Sequence, residues 1–354
     1  MPELSRNSNI ELLRLVLMYF VILLHYNGMG GGIISIVENY PFSSFAVNLL
    51  ETLCVLAVDC FMIVSGYFLY TNKKIKTGKI LDLLLIVVFY HYVDYALRII
   101  FTEEAFSLKT FVGNILPGNY FAIFYLVCYA LSPFVAKLYR EMTARQASAF
   151  TVLLAGIFLV IPTVLHFGED LHIAKTFDFL SPVSTNGDNN GYTVVNFMVC
   201  LCIGMYLRKT EWSAKWYLLL SLYVLIALCT AFLLPKIPSV DAYCNIAVVV
   251  MAVCFFLLFK KIKIQSRALN FISKSTFSIF CIHTGVFFNS IVWKKIINYG
   301  NITDNALTTT LWSLVYPLEM FLLCLALSIV MRVTFGKIKD VVCGKMPTAG
   351  VFDE

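Results

Sequence analysis

Arg14 and His25 stand eleven positions apart in an otherwise apolar run, 10–27. At about 100° per residue, eleven steps come to about 1100°, roughly 20° past three full turns, so on a helix both side chains point the same way. Their separation along the axis is about 16 Å at 1.5 Å per residue. Glu11, fourteen positions before His25, lies about 40° off the same line. A cation at one end of a helix and an imidazole at the other suit a donor that is anionic at one end and reactive at the other, and a coenzyme A thioester is such a molecule. Arg14, with Lys73, Lys74 and Lys76 of the next polar connection, would hold its phosphates, and its pantetheine arm would carry the thioester toward His25. Because an imidazole titrates near neutral pH, His25 suits a general base that takes the proton of an acceptor hydroxyl as its oxygen attacks the thioester carbonyl. A covalent acyl-histidine route stays open. Asp59 or Glu51, in the following apolar run, would orient the ring or hold the acceptor. Glu11, Glu51 and His283 are the candidate acceptor-binding groups.

The elements that must position these residues follow from composition. Hydrophobic residues make up 60% of the 354-residue chain and charged residues 14%, against about 45–50% and about 25% in a soluble domain. Mean hydropathy is +0.81. So few charges cannot cover the surface of a soluble fold, and so much apolar material excludes disorder. Ten apolar runs read as spans: 10–27, 46–70, 80–101, 119–138, 148–166, 192–208, 215–234, 242–260, 270–293 and 308–333, the sixth being short enough to be tilted or sunk below the surface. The expected fold is therefore an all-α polytopic membrane protein of about ten transmembrane helices. Residues 1–335 would form one transmembrane domain and 336–354 a short cytoplasmic tail. The first run carries Glu11, Arg14 and His25 and no convincing cleavage site follows it, so it reads as a mature helix and not a signal peptide.

Of the 27 Lys and Arg residues, Lys109, Lys175, Lys236, Lys294 and Lys295 fall in connections on one side, Arg98 falls within a span, and all the others lie on the side of the N-terminus. By the positive-inside rule both termini are cytoplasmic, and the expected location is the plasma (inner) membrane. The outer connections are Gly-rich, as in Gly28-Met29-Gly30-Gly31-Gly32, or acidic, as in the long loop with Glu169, Asp170, Asp178 and Asp188 that ends in Asn186–Gly191. The net charge of +6 comes with no Lys/Arg run longer than two, which does not point to nucleic acid. The 11 cysteines are scattered and include no C-x-x-C pair, so they read as small packing residues and no metal is expected.

An ionisable group at mid-bilayer costs at least about 2.5–3.5 kcal/mol on insertion scales, so each needs a partner or a purpose. Besides those named, the candidates are Asp82, His91, Asp94 and Arg98 in the third run and Glu319 in the tenth. The middle runs hold almost none, which places a polar interior among runs 1, 2, 3, 9 and 10. His91, Asp94 and Arg98 share one helical face, where Asp94 and Arg98 are expected to neutralise each other. Ser65-Gly66 supports two readings: a close helix contact, or a backbone approach to the pantetheine arm.

Four segments together resemble the integral-membrane acyltransferase family 3, whose members O-acylate sugars of surface polysaccharides and related envelope glycans. Asn9 through His25 resembles its opening helix, with a basic residue and a histidine separated by ten positions. Val58-Asp59 through Ser65-Gly66-Tyr67-Phe68 is similar to its VD-x-F…SGYF segment. Gly191-Tyr192 through Gly204-Met205-Tyr206-Leu207-Arg208 resembles its G-x-Y-x-R helix end, and Ser278 through His283 its …YLIH segment. Phe280 stands where the family usually has Tyr. The resemblance covers about residues 7–335. It implies acyl-CoA, acetyl-CoA first among them, as cytoplasmic donor, His25 and Arg14 as the essential pair, and a sugar or polysaccharide hydroxyl as acceptor. The competing reading is a transporter or flippase of a polar glycan or glycolipid. It shares the spans and buried charges, but the inverted repeats expected of such a protein are not found. Nothing specific favours a non-catalytic scaffold.

Overall fold

The computed structural model describes residues 7–116, 118–173, 191–343 and 348–350, with side chains as far as Arg332. The loop run Asn186–Asn190, the counted cations Arg6, Lys175 and Lys345, and all of the expected tail's side chains lie outside the described residues. The helices in chain order are α1 (Ser8–Asn27), α2 (Ile33–Val37), α3 (Pro41–Cys54), α4 (Ala57–Leu69), α5 (Thr77–Phe101), α6 (Leu108–Gly113), α7 (Tyr120–Glu141), α8 (Ala144–Ala155), α9 (Ile161–Asp170), α10 (Val194–Thr210), α11 (Trp216–Leu233), α12 (Ile246–Lys261), α13 (Arg267–Ile272), α14 (Thr276–His283), α15 (Trp293–Ile296) and α16 (Ala306–Cys343). The strands among the described residues are two three-residue pieces, Lys74–Lys76 and Thr348–Gly350. This is an all-α polytopic membrane protein.

Eight helical segments among the described residues are long and apolar enough to cross a bilayer, or nine if one bent pair counts as a span. One expected span is as short as its sequence implies, and one differs from the sequence reading. The run 192–208 forms α10, which at 17 residues is a little short of a full crossing. The run 270–293 is broken: Arg267–His283 and Phe288–Ile296 are bent by 75°. A wide π turn at Gly156–Val160 precedes Pro162 and joins α8 to α9. Proline has no N–H and crowds the preceding turn, which such a widened turn accommodates.

Local signals set several ends. The α8 start is a capping box of Thr143 and Gln146. The Thr193, Asn245 and Ser266 side chains accept backbone N–H groups at the starts of α10, α12 and α13.

The described residues form two compact units. In the first (1–47, 76–126 and 265–349), α1 packs on α13, α14 and α16, and α5 packs on α14 and α16. The first turn of α1 is tied to α13, because Ser8 Oγ donates to Asn270 Oδ1 at 2.9 Å and accepts from the Ser266 N–H at 3.0 Å. In the second (48–75, 127–264 and 350–354), α4 packs on α10 and α12, α10 on α8, and α11 on α12.

Candidate active site

In the first unit α1 runs unbroken from Ser8 to Asn27, so the eleven-residue spacing keeps Arg14 and His25 on one face about 16 Å apart. Arg14 Nη1 donates to Glu11 Oε1 at 3.1 Å. Glu11 is buried, and its Oε2 has no partner among the described residues. An arginine has five N–H donors, so this contact leaves most of the Arg14 guanidinium open to an anion.

His25 lies in the last turn of α1 and is half-buried, while its Nδ1 is shut away with no hydrogen-bond partner among the described residues. Its neighbour Tyr26 is fully buried, with Trp293 and Tyr316 at ring separations of 5.7 and 6.2 Å. Asn301 Nδ2 donates to the Tyr316 hydroxyl at 2.7 Å. The glycine run after α1 is part of the same construction. The His25 carbonyl accepts from the Gly30 N–H at 2.7 Å, and a Cβ at Gly30 would run into the Trp293 ring. Glycine here lets the chain turn flat against that indole.

The second imidazole comes from the broken span. His283 ends α14 and is fully buried. Its Nδ1 lies 2.9 Å from the carbonyl oxygen of Ile279, one turn back. A carbonyl can only accept, so Nδ1 carries the proton and Nε2 the lone pair. That Nε2 has no partner among the described residues. The His25 and His283 rings lie 4.9 Å apart between centroids, inclined at 50°. Phe280 meets His283 edge-on at 5.7 Å, so the position usually held by Tyr in the resembled family brings a ring and no hydroxyl.

Helix α5 holds the break in place. Asp94 Oδ1 accepts the Phe287 N–H at 2.8 Å, just past the bend, and a Cβ at Gly285 would collide with that same oxygen. Asp94 Oδ2 accepts from Arg98 Nε at 3.1 Å, and Arg98 Nη1 pairs with Glu104 at 2.7 Å. The expected Asp94–Arg98 pair is therefore present, and its added task is to hold open backbone. On the other side of α14, a mainly apolar cavity of about 350 Å³ is lined by residues including Tyr90, Asp94, Cys281, Ile282 and Lys295, and by neither imidazole.

Of the remaining candidates, Asp59, Glu51, Lys73 and Lys74 belong to the second unit and Lys76 to the first. Asp59 is fully buried, and its Oδ1 accepts from Asn196 Nδ2 at 2.9 Å. The same Asn196 nitrogen reaches the Tyr243 carbonyl at 3.2 Å, while Asp59 Oδ2 has no partner among the described residues. Glu51 lies on α3 within electrostatic range of Tyr243. Sequence reasoning missed Asn196, whose one signal is an amide at the start of an apolar run. Lys73 and Lys74 are exposed, as is Lys76, in the connection before α5.

At Ser65-Gly66 the packing supplies the close helix contact, the first of the two readings. Where Gly66 would carry a Cβ lies the Leu201 carbonyl of α10, and Gly204 of α10 meets the Ile63 carbonyl in the same way. Ser65 Oγ donates to Phe61 O at 2.8 Å. Two of the sequence segments that stood out thus pack on each other. Their ends are joined by Arg208 Nη1, which donates to the Tyr67 hydroxyl at 3.0 Å and to Glu211 Oε1 at 2.9 Å.

A family model described as an acyltransferase domain matches residues 7–337. The chain belongs to the acyltransferase 3 family. No curated protein and no solved structure matches it. Membership of this family makes the protein a membrane acyltransferase, and the match spans both the α1 pair and the broken span that carries His283. Groups of three or more metal-ligating side chains are not found among the described residues.

Proposed function

We propose that this membrane acyltransferase moves an acyl group, acetyl first among the candidates, from cytoplasmic acyl-CoA to a hydroxyl of a surface glycan or lipid-linked sugar, at the plasma (inner) membrane. Arg14 and the cations Lys73, Lys74 and Lys76 hold the nucleotide phosphates, and His25 is the general base. The hydroxyl oxygen attacks the thioester carbonyl as His25 takes its proton. The C–O bond forms, the C–S bond breaks, and the leaving thiolate takes up a proton to give free CoA and the acylated sugar. Asp59, Glu51 and Glu11 are the acidic groups assigned to the acceptor side.

One observation carries the proposal: a half-exposed imidazole with an unpartnered Nδ1 ends the same unbroken helix face on which Arg14 stands three turns earlier. The test is incubation of membranes containing the protein with labelled acetyl-CoA, reading label in glycan. Removing a general base typically costs about 10²–10⁴ in rate, so His25→Ala should lose transfer by that factor while the protein still inserts. Full transfer by both His25→Ala and Arg14→Ala would overturn the site. Failure to bind acetyl-CoA at all would bring the transporter reading forward.

A further inference from the structure

We propose that His283 is a positioning residue for His25, accepting the Nδ1–H of that imidazole on its own Nε2 and so fixing which nitrogen of His25 faces the substrate. The inference rests on the reading of His25 as the base and deepens it. Three features support it. The rings are neighbours, at 4.9 Å between centroids. His283 has its tautomer set by the Ile279 carbonyl, which leaves one lone pair on Nε2. The nitrogens without partners are one on each ring, His25 Nδ1 and His283 Nε2. A hydrogen bond between these two nitrogens would satisfy both.

The completed chain reads substrate O–H to His25 Nε2, His25 Nδ1–H to His283 Nε2, and His283 Nδ1–H to Ile279 O. When His25 takes the hydroxyl proton, positive charge develops on its ring and the Nδ1–H···Nε2 bond strengthens. No proton need leave His25 until the thiolate departs. The alternative is a histidine that only fills space. That reading leaves a fully buried ring nitrogen unsatisfied for no return. The bend that Asp94 and Gly285 hold open is what ends α14 at His283, so the broken span itself serves the pair.

The experiment uses the full chain in membranes, labelled acetyl-CoA, and the acceptor those membranes carry. His283→Leu removes the acceptor nitrogen. His283→Gln can present an amide oxygen near the Nε2 position. His283→Asn keeps a donor toward Ile279 O but is too short to reach His25. A hydrogen bond to a charged group corresponds to about 10- to 100-fold in rate, so His283→Leu and His283→Asn should lose kcat by that factor with the KM for acetyl-CoA unchanged. His283→Gln should recover several-fold over both. If Leu does not fold, the Gln-to-Asn comparison decides alone. Equal activities for Gln and Asn per inserted protein, or wild-type kcat in His283→Leu, would overturn the proposal. Full activity in His25→Ala would instead overturn the base assignment on which it rests.

Discussion

The close crossing of α4 and α10 offers a test in which packing and donor binding give opposite results. Gly66 faces the Leu201 carbonyl and Gly204 faces the Ile63 carbonyl, so each helix uses a glycine to admit the other's backbone. In lipid, helices gain nothing from burying apolar surface against each other. Their association depends on how closely the backbones approach, which makes this crossing sensitive to a single methyl group. An alanine Cβ at either position lands on a backbone oxygen of a packed helix, which cannot swing away as a side-chain tip would. Relief requires the helices to part by on the order of 1 Å, and overpacking of this kind costs about 1–3 kcal/mol. The double variant should cost less than the sum, because the first separation makes room for the second methyl.

Gly156 is the control. It has open space where a Cβ would go. Gly156→Ala should be neutral or stabilise by up to about 1 kcal/mol, since alanine loses less chain entropy in a helical turn. The assay is unfolding of the purified protein in mixed micelles by a denaturing detergent, with acetyl-CoA binding measured on the same samples. Gly66→Ala and Gly204→Ala should each lose stability by the stated amount, and binding should fall only as folded protein falls. Wild-type stability in both variants would refute the crossing. Wild-type stability in Gly66→Ala with loss of acetyl-CoA binding would return Gly66 to the donor path.

Further outcomes follow from the polar contacts. Arg14→Lys keeps a charge beside Glu11 but gives up the forked guanidinium, so the KM for acetyl-CoA should rise with little change in folding, whereas Arg14→Ala should also destabilise by leaving Glu11 buried without its cation. Asp94→Ala strands the Phe287 N–H and takes from Arg98 one of its two partners, a loss of about 1–3 kcal/mol that should appear as faster amide exchange just past the bend. Asp59→Asn keeps an acceptor for Asn196 and should fold normally, while Asp59→Leu should not; equal stability of the two would show that the Asn196 bond carries no weight. At the surface, burial pushes the Glu211 carboxyl up, but the Lys260 hydrogen bond and the charges of Lys260 and Arg208 outweigh it and hold the group below its ordinary value. Its contribution is therefore present at neutral pH and fades as pH falls through that lowered pKa. The stability difference between wild type and Lys260→Met should shrink in acid.

What the sequence made legible depended on whether a signal was local. Helix α1 was readable because its apolar run, its acidic first turn at Glu11 and the glycines after Asn27 all lie within the element itself. The Asp94–Arg98 pair was readable from four-residue spacing. The break after His283 was not, because Thr276 through Val292 carries no proline and no charged residue, and the group that holds it open, Asp94, lies 193 positions from Phe287. Asp59 stood out as a charge in lipid, yet its partner Asn196 is 137 positions away. Periodicity finds the face of Gly66 but not the element that meets it.

The polar groups inside the apolar helices divide by what is left over once their contacts are made. Both oxygens of Asp94 are engaged, one with the Phe287 N–H and one with Arg98, and Arg98 also pairs with Glu104, so these charges are committed to holding the backbone at the break. Glu11 Oε2, His25 Nδ1, His283 Nε2 and Asp59 Oδ2 are buried with no partner among the described residues. An unfilled valence on a buried atom is a standing cost that architecture alone does not explain. Three of the four lie in the unit that carries α1, on the Arg14–His25 helix or at the break facing it. The two ring nitrogens satisfy each other in the arrangement proposed above, which leaves Glu11 Oε2 in that unit as the acceptor a ligand can fill. A hydroxyl that donates to it gains a hydrogen bond without first breaking one, which is the condition under which a buried site binds a polar substrate tightly.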